Sequence, residues 1–329
     1  MFTPVETSIG ALLLHQATSV LLYQNGKVLG ASGYLRRLLT APTKDILTFF
    51  AGMALSAPVL KLVLPKLVTQ YPPVPTTSQA ALVTVVVGAI VGLGTKFANG
   101  CTSGHMLCGL SRLSSRSASA VALFFPAAIV THHIVHPTLI TEACNSAVPC
   151  YTPTYPDAAT LLPLILLTVV TVSAAKIIPR LALKLTESDD KKEAMPVAQQ
   201  VSQCFAGLEF GLGLHISQMA SPSKTLSFLS LPHWAAWDPS LAMVMVFGVL
   251  PNLLEYRTRG PRPLFNSKYE LPTKTLKDTD WRFVTGSILF GIGWGLTGTC
   301  PGPAILRALA QPQWGFLWMG GFWLGSQVP

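Results

Sequence analysis

The sequence predicts an all-α polytopic membrane protein, folded as an inverted repeat whose broken half-helices meet at a central constriction. Three observations predict it. Half of the 329 residues are hydrophobic and only 11% are charged, with a mean hydropathy of +0.47, whereas a soluble domain carries about 25% charged residues. Apolar stretches recur along the whole chain. Finally, the two halves share one glycine–cysteine pattern at a constant spacing.

The apolar stretches fall at residues 9–24, 46–65, 80–98, 117–135, 158–178, 201–217, 241–254, 283–299 and 314–326. Several approach the ~20 residues that a helix needs to cross a bilayer. The others are short, and in lipid every backbone group must be paired, so short or glycine-broken stretches belong inside the bundle or around a cavity. The first stretch carries His15 and Gln16 and lacks a basic region followed by a small-residue cleavage site, so a cleaved signal peptide is not expected.

The formal charge of +9 is not read as a nucleic-acid footprint, because the basic residues fall between apolar stretches, where they set orientation. They gather at Arg36, Arg37 and Lys44, at Arg112 and Arg116, between Lys176 and Lys192, and between Arg257 and Arg282. The stretch 183–200 and the loop 256–282 are therefore expected in the cytoplasm. The loop 136–160 has no Lys or Arg, and 217–240 has Lys224 alone, so both are expected outside. The hydrophilic run "LKLTESDDKKEAMPVAQQ" (183–200) has the composition of a solvated linker. It divides a first transmembrane repeat, 1–182, from a second, inverted one, 201–329.

In those halves "GLGTKFANGCTSG" (92–104) and "GIGWGLTGTCPGP" (291–303) match: Gly92, Gly94 and Cys101 correspond to Gly291, Gly293 and Cys300, 199 residues later. The glycines allow close backbone approach. The charge map runs the two copies in opposite directions, and such inverted repeats place a substrate site at their interface. Pro301 and Pro303 suit the first turn of a helix, and Thr102 and Ser103 are good N-caps. Each cysteine is thus expected at the positive end of a half-helix, where unpaired N–H groups attract anions.

A neutral thiol there is a weak donor and a soft partner, suited to a sulfur-bearing anion that must bind and still leave. The alternative is that Cys101 and Cys300 are small hydrophobes in a helix interface. Cys108, seven residues after Cys101, would share its face on an α-helix, and His105, one turn away, could bond substrate or tune the thiol. Cys144 and Cys150 could form a disulfide in an oxidising compartment. His132, His133 and His136 lack an acidic or cysteine partner, so no metal site is expected. Glu209, within an apolar run, is either a proton-coupling acid or a carboxylate paired at a helix end. Lys96 and Arg307 are placed to snorkel. Trp234, Trp237, Trp281, Trp314 and Trp318 suit interfacial belts. No nucleotide-binding loop appears, and no cofactor is expected.

"GCTSGHMLCGLSRLSSRS", "NGKVLGASG" (25–33), "WDPSLAMVM" (237–245) and "FGIGWGLTGTCPGPAILRAL" (290–309) resemble the YeeE/YedE sulfur-transport family over nearly the whole chain. The resemblance implies a plasma-membrane importer of thiosulfate in a fused two-half form. It makes Cys101 and Cys300 relay thiols, with Thr102, Ser103, Gly104 and Gly302 shaping the constriction, and a cytosolic sulfur-accepting protein as a further partner. Two departures stand out: no cysteine precedes Cys101, although some members carry one near the N-terminus, and Gln218 stands where the family's pattern has glycine. A membrane sulfurtransferase or thiol redox enzyme, with Cys101 as nucleophile, is the competing reading, and a transporter of another sulfur or selenium compound is a third.

Overall fold

Chain direction, more than composition, organises the fold. The structure is a computed structural model that describes residues 1–142, 144, 148–189 and 191–329. Its helices are α1 (Pro4–Ser19, prolonged by a wide turn to Gln24), α2 (Ala31–Thr40), α3 (Lys44–Val63), α4 (Ser78–Ala98), α5 (Ser115–Val135), α6 (Pro137–Glu142), α7 (Ala158–Asp189), α8 (Lys191–Ile216), α9 (Pro222–Phe228), α10 (Ala242–Val244), α11 (Leu250–Arg257), α12 (Trp281–Thr297), α13 (Pro301–Ala310) and α14 (Pro312–Gln327). Among the described residues six helical stretches are long and apolar enough to cross a membrane, one of them the Pro239–Arg257 stretch that contains α10 and α11. A seventh is formed if α12 and α13, bent by 41° at their break, count as one.

Local chemistry starts the helices where they start. The Thr77, Ser114 and Asp280 side chains accept hydrogen bonds from Ala80, Ser117 and Phe283 N–H and cap α4, α5 and α12, satisfying donors that the first turn leaves free. Prolines occupy the first turn of α1, α9, α13 and α14, where no N–H is needed.

The glycines reveal how the halves meet. On α4, a Cβ at Gly94 would touch Phe290 and Gly286 of α12. On α12, one at Gly286 would touch Ala98 and Gly94, and one at Gly293 would touch Val91. Positions rise along one helix as they fall along the other, so these two matching helices are antiparallel, as an inverted repeat requires. The relation is reciprocal. Gly92 of α4 abuts the Phe322 carbonyl of α14, and its counterpart Gly291 of α12 abuts the Phe124 carbonyl of α5. Likewise α1 runs against α8 in the opposite sense, with Gly10 beside Gly213 and Ser217 and Asn25 bonded to Gln203.

Among the described residues, four of the long helices are followed by a left-handed residue: Gly26 after α1, Asn99 after α4, Gln218 after α8 and Gly298 after α12, with φ of 74°, 59°, 58° and 65°. Asn99 and Gly298 are again 199 residues apart. Beyond each, the chain folds back and starts a short helix: α2, a widely wound stretch from Ser103 to Arg112, α9 and α13. Glycine suits this conformation and other residues resist it, so Gln218 occupies a position whose geometry favours glycine.

Two expectations differ from what is observed. The run 183–200 is helical on both sides of residue 190, which itself lies outside the described residues, because its Lys, Glu, Ala and Met are good helix formers. A hydrophilic composition implies solvent, not coil. Trp314 and Trp318 do not sit in a belt: they are 5% and 1% exposed and stack in series with Phe322, across from Gly88 and Gly92.

Candidate functional site

The folded-back segments bring their N-terminal ends together. Cys300 caps α13 and its carbonyl accepts from Ala304 N–H at 2.9 Å, as the Cys101 carbonyl accepts from His105 N–H at 2.9 Å. The two cysteines therefore hold equivalent places at the heads of equivalent half-helices. The Thr102 hydroxyl donates to Cys300 Sγ at 3.4 Å. Cys101 Sγ lies 3.3 Å from Ser103 Oγ, which accepts from Ala31 N–H, the first residue of α2, at 2.9 Å. One tripeptide thus ties both thiols and the α2 terminus into a single cluster.

A central cavity of about 60 Å³ lies beside this cluster. Ala31, Thr102, Ser103, Thr225, Cys300 and Gly302 bring the heads of the folded-back helices to its wall. The rest is apolar or soft, with Met106, Met219, Met245, Phe210, Phe228 and Trp294. No Lys, Arg, Asp or Glu lines it. A second, wider vestibule of about 660 Å³ is lined by Lys27, Arg36, Arg37, Arg112, Arg116 and Lys274 against Glu270 alone. Asn99 and Gly100 line the vestibule while Thr102 and Ser103 line the cavity. Cys101, 1% exposed, falls between them.

The other expected site residues separate into groups. Gly104 lines the vestibule, where a Cβ would meet nothing within 4 Å, while Gly302 lies against Phe210 in the cavity wall. Gly92, Gly94, Gly291 and Gly293 are the close-packing points of α4 and α12. His105 is at the vestibule, with Nε2 3.2 Å from Ala98 O and Nδ1 3.1 Å from Ser117 Oγ. The carbonyl can only accept, so Nε2 carries the proton and Nδ1 accepts from Ser117, and the ring clips the end of α4 to α5. Cys108 lines neither chamber; it faces a pocket of about 20 Å³ with Thr18, Leu29, Arg112 and Asn252. Residues 103–109 wind as a π-helix, so the seven-residue spacing does not return to the face that an α-helix would give.

Outside the site, Cys144 and Cys150 are joined as a disulfide, with Cα atoms 5.3 Å apart. His132 bonds Ser230 Oγ and His136 bonds the Leu296 carbonyl. Among the described residues no group of three His, Cys, Asp or Glu could hold a metal. Glu209 is fully buried, and neither carboxyl oxygen has a hydrogen-bond partner among the described residues. Lys96 donates to the Val328 carbonyl and Arg307 to the Pro72 carbonyl, so both are anchored to backbone. Sequence reasoning missed Ala31, Met219, Thr225 and Trp294. Ala31 heads α2 and Met219 lies in the break after α8, while Thr225 and Trp294 lie within α9 and α12, where the sequence could not trace which face meets the cavity.

Residues 198–321 match the model of a family described as Family of unknown function (DUF6691). A "Probable transporter" of Xylella fastidiosa strain 9a5c is 46% identical over 102 residues, 30% of this chain and 68% of that relative. A second "Probable transporter" of the same strain is 38% identical over 126 residues, 37% of this chain and 88% of its own length. The chain belongs to this family of probable transporters. Strain Temecula1 supplies a relative at 39% identity over 126 residues, again 88% of its length. These family members are less than half as long as this chain, since 126 residues nearly fill them.

Proposed function

We propose that the protein is a membrane transporter that imports thiosulfate through the cysteine-bridged neck between the two chambers. The observation that carries this reading is the convergence of α2, α13 and the 103–112 segment, N-termini first, on a cavity with no Lys or Arg in its wall, bridged to Cys101 through Ser103 and Thr102. The Ala31 N–H is taken by Ser103 and Pro301 and Pro303 have none, so the helix dipoles and the Gly302 N–H of α13 are what favour an anion here. The thiols and methionines are soft and weakly interacting, which lets a soft sulfur oxyanion bind without being trapped. The names of the relatives support transport, and the motifs that resemble the YeeE/YedE family support thiosulfate.

By its charge the vestibule opens to the cytoplasm, with 183–200 and 256–282 on the same side and 136–160 outside, in a plasma membrane. Lys27 is paired with Asp45, and the other five cations draw anions through the neck and offer a docking place to a cytosolic sulfur acceptor. Two half-length units, 1–182 and 201–329, are joined in one chain, and no cofactor takes part. The sulfurtransferase reading gains no support: the partners of the two thiols are hydroxyls, not the Lys, Arg or His beside which a reactive thiolate is usually found.

The test is uptake of thiosulfate labelled in its outer sulfur into proteoliposomes. Wild type and Cys108→Ala are expected to accumulate intact label, and folded Cys101→Ala and Cys300→Ala are not. Uptake that persists without Cys101 and Cys300, or label recovered as protein-bound persulfide, overturns the proposal.

A further inference from the structure

Glu209 of α8 is fully buried, and among the described residues neither of its carboxyl oxygens has a hydrogen-bond partner and no ion pair reaches it. The helices packed on α8 supply no counter-ion at its level. Towards α3, the flanking Gly207 and Gly211 abut Phe49, Met53 and Ser56, so Lys44, Asp45 and Lys61 lie about two turns away or more. Towards α1, Gly10 meets Gly213 and Asn25 meets Gln203. That register brings the neutral Gln16 level with Glu209, whereas His15 is bonded to Asn252 and Glu6 lies near the other end of α1. From α7, the exposed Lys176 acts on it at a distance. On α8 itself, His215 is engaged with Thr69. An ionised carboxylate in such a place costs far more than a neutral carboxyl. Glu209 therefore carries its proton.

Polar side chains connect this position with a third chamber. It measures about 930 Å³, and Gln16, Gln24, Lys176 and Gln199 are in its wall. Gln199, Ser202 and Glu209 are spaced three and seven residues apart, which puts them on one stripe of α8. Ser202 is fully buried, with its hydroxyl unpartnered among the described residues. The stripe runs from the chamber wall to Glu209, and Gln16 reaches the same level on α1. On the sidedness proposed above, Lys176 sets this chamber on the cytoplasmic side. A dianion that enters an inside-negative cell moves against the membrane potential, which draws a proton inward. A proton that enters with the anion offsets one of its two charges.

We propose that Glu209 is the proton-binding site of an anion–proton symport: its carboxyl takes up a proton with the entering anion and releases it to water in the third chamber. This rests on the thiosulfate reading above. The test uses the full-length protein in sodium-free proteoliposomes with the membrane potential clamped at zero. For one proton per anion, an outside pH lower by about one unit should make wild type accumulate labelled thiosulfate about tenfold. Glu209→Gln, neutral and of the same shape, should exchange labelled for unlabelled thiosulfate without accumulating it. Wild type that exchanges but does not accumulate, or Glu209→Gln that accumulates as wild type does, overturns this proposal and leaves the transport reading standing. Should Glu209→Gln fail to exchange, a membrane-soluble carbodiimide, which modifies protonated carboxyls, decides on the wild type. Modification of Glu209 with loss of accumulation upholds the site, and any other result overturns it. A wild type that exchanges no thiosulfate overturns both readings.

Discussion

Gly92→Ala and its counterpart Gly291→Ala test whether the halves are locked as reciprocal partners. A Cβ at Gly92 would lie 2.1 Å from the Phe322 carbonyl oxygen, and one at Gly291 2.3 Å from that of Phe124; ordinary contact begins at 3.4 Å. Each pair of helices must therefore separate by about 1.1–1.3 Å. Neither neighbour yields easily, since Phe322 belongs to the Trp314–Trp318 stack and Phe124 packs on Phe290. Overpacking of this kind costs about 1–3 kcal/mol, and exchanging glycine for alanine inside a helix returns about 1 kcal/mol. The net is a loss of up to about 2 kcal/mol, larger for the double variant, and the 2.1 and 2.3 Å approaches to backbone put both sites toward the upper end. Gly33→Ala is the control: it lies within α2, and its Cβ would meet nothing within 4 Å, so only the propensity gain applies. Thermal melting in detergent, followed with a thiol-reactive dye that labels Cys101, Cys108 and Cys300 as they are exposed, reads the difference. Gly92→Ala and Gly291→Ala should fall by comparable amounts, and Gly33→Ala should hold or rise. Wild-type melting in either of the first two, or an equal fall in Gly33→Ala, would refute the argument.

Lys224 and Asp238 form a buried ion pair at 3.2 Å, 6% and 1% exposed, and Lys224 also donates to the Met1 carbonyl and the Thr3 hydroxyl. Lys224→Met removes one of the two cations on Asp238, the Met1 ammonium at 3.5 Å being the other, so it should cost up to about 3–5 kcal/mol, and the double variant with Asp238→Asn should recover much of that; equal melting of single and double variants would show that the pairing is immaterial. For the disulfide, alkylation of the denatured, unreduced protein with a bulky maleimide should modify four cysteines, Cys101, Cys108, Cys204 and Cys300, and reduction should raise the number to six. Six modified without reductant would place the Cys144 loop in a reducing compartment.

Much of this arrangement was legible in advance because lipid permits so few solutions. Apolar runs of adequate length become helices, and matched Gly-x-Gly-x6-Cys patterns sit on two of them, α4 and α12, now seen to be antiparallel. What escaped prediction lies where the backbone leaves the helix. The spacing of Cys101 and Cys108 suggests a shared face only if the turn is α, and a π-wound stretch breaks that inference. At 183–200 composition pointed to solvation, and helix propensity adds that the described part of the run is helical. Gln218 could be flagged as out of pattern but not explained until its φ of 58° was seen.

On the transport reading proposed above, the distribution of charge accounts for thiols and not arginines at the neck. The vestibule has six cations and one acid in its wall, and the central cavity has none of either. Were a guanidinium placed beside Cys300, its bidentate grip on an oxyanion would act in a small, largely dry cavity, where weak screening strengthens every charge interaction. Held in the wider vestibule, the same charges attract an anion through screened interactions and exchange it readily. Partial charges from helix termini suffice in the cavity because each amounts to only about half a unit charge. On that reading, an anion would be held loosely at the neck and exchanged readily in the vestibule.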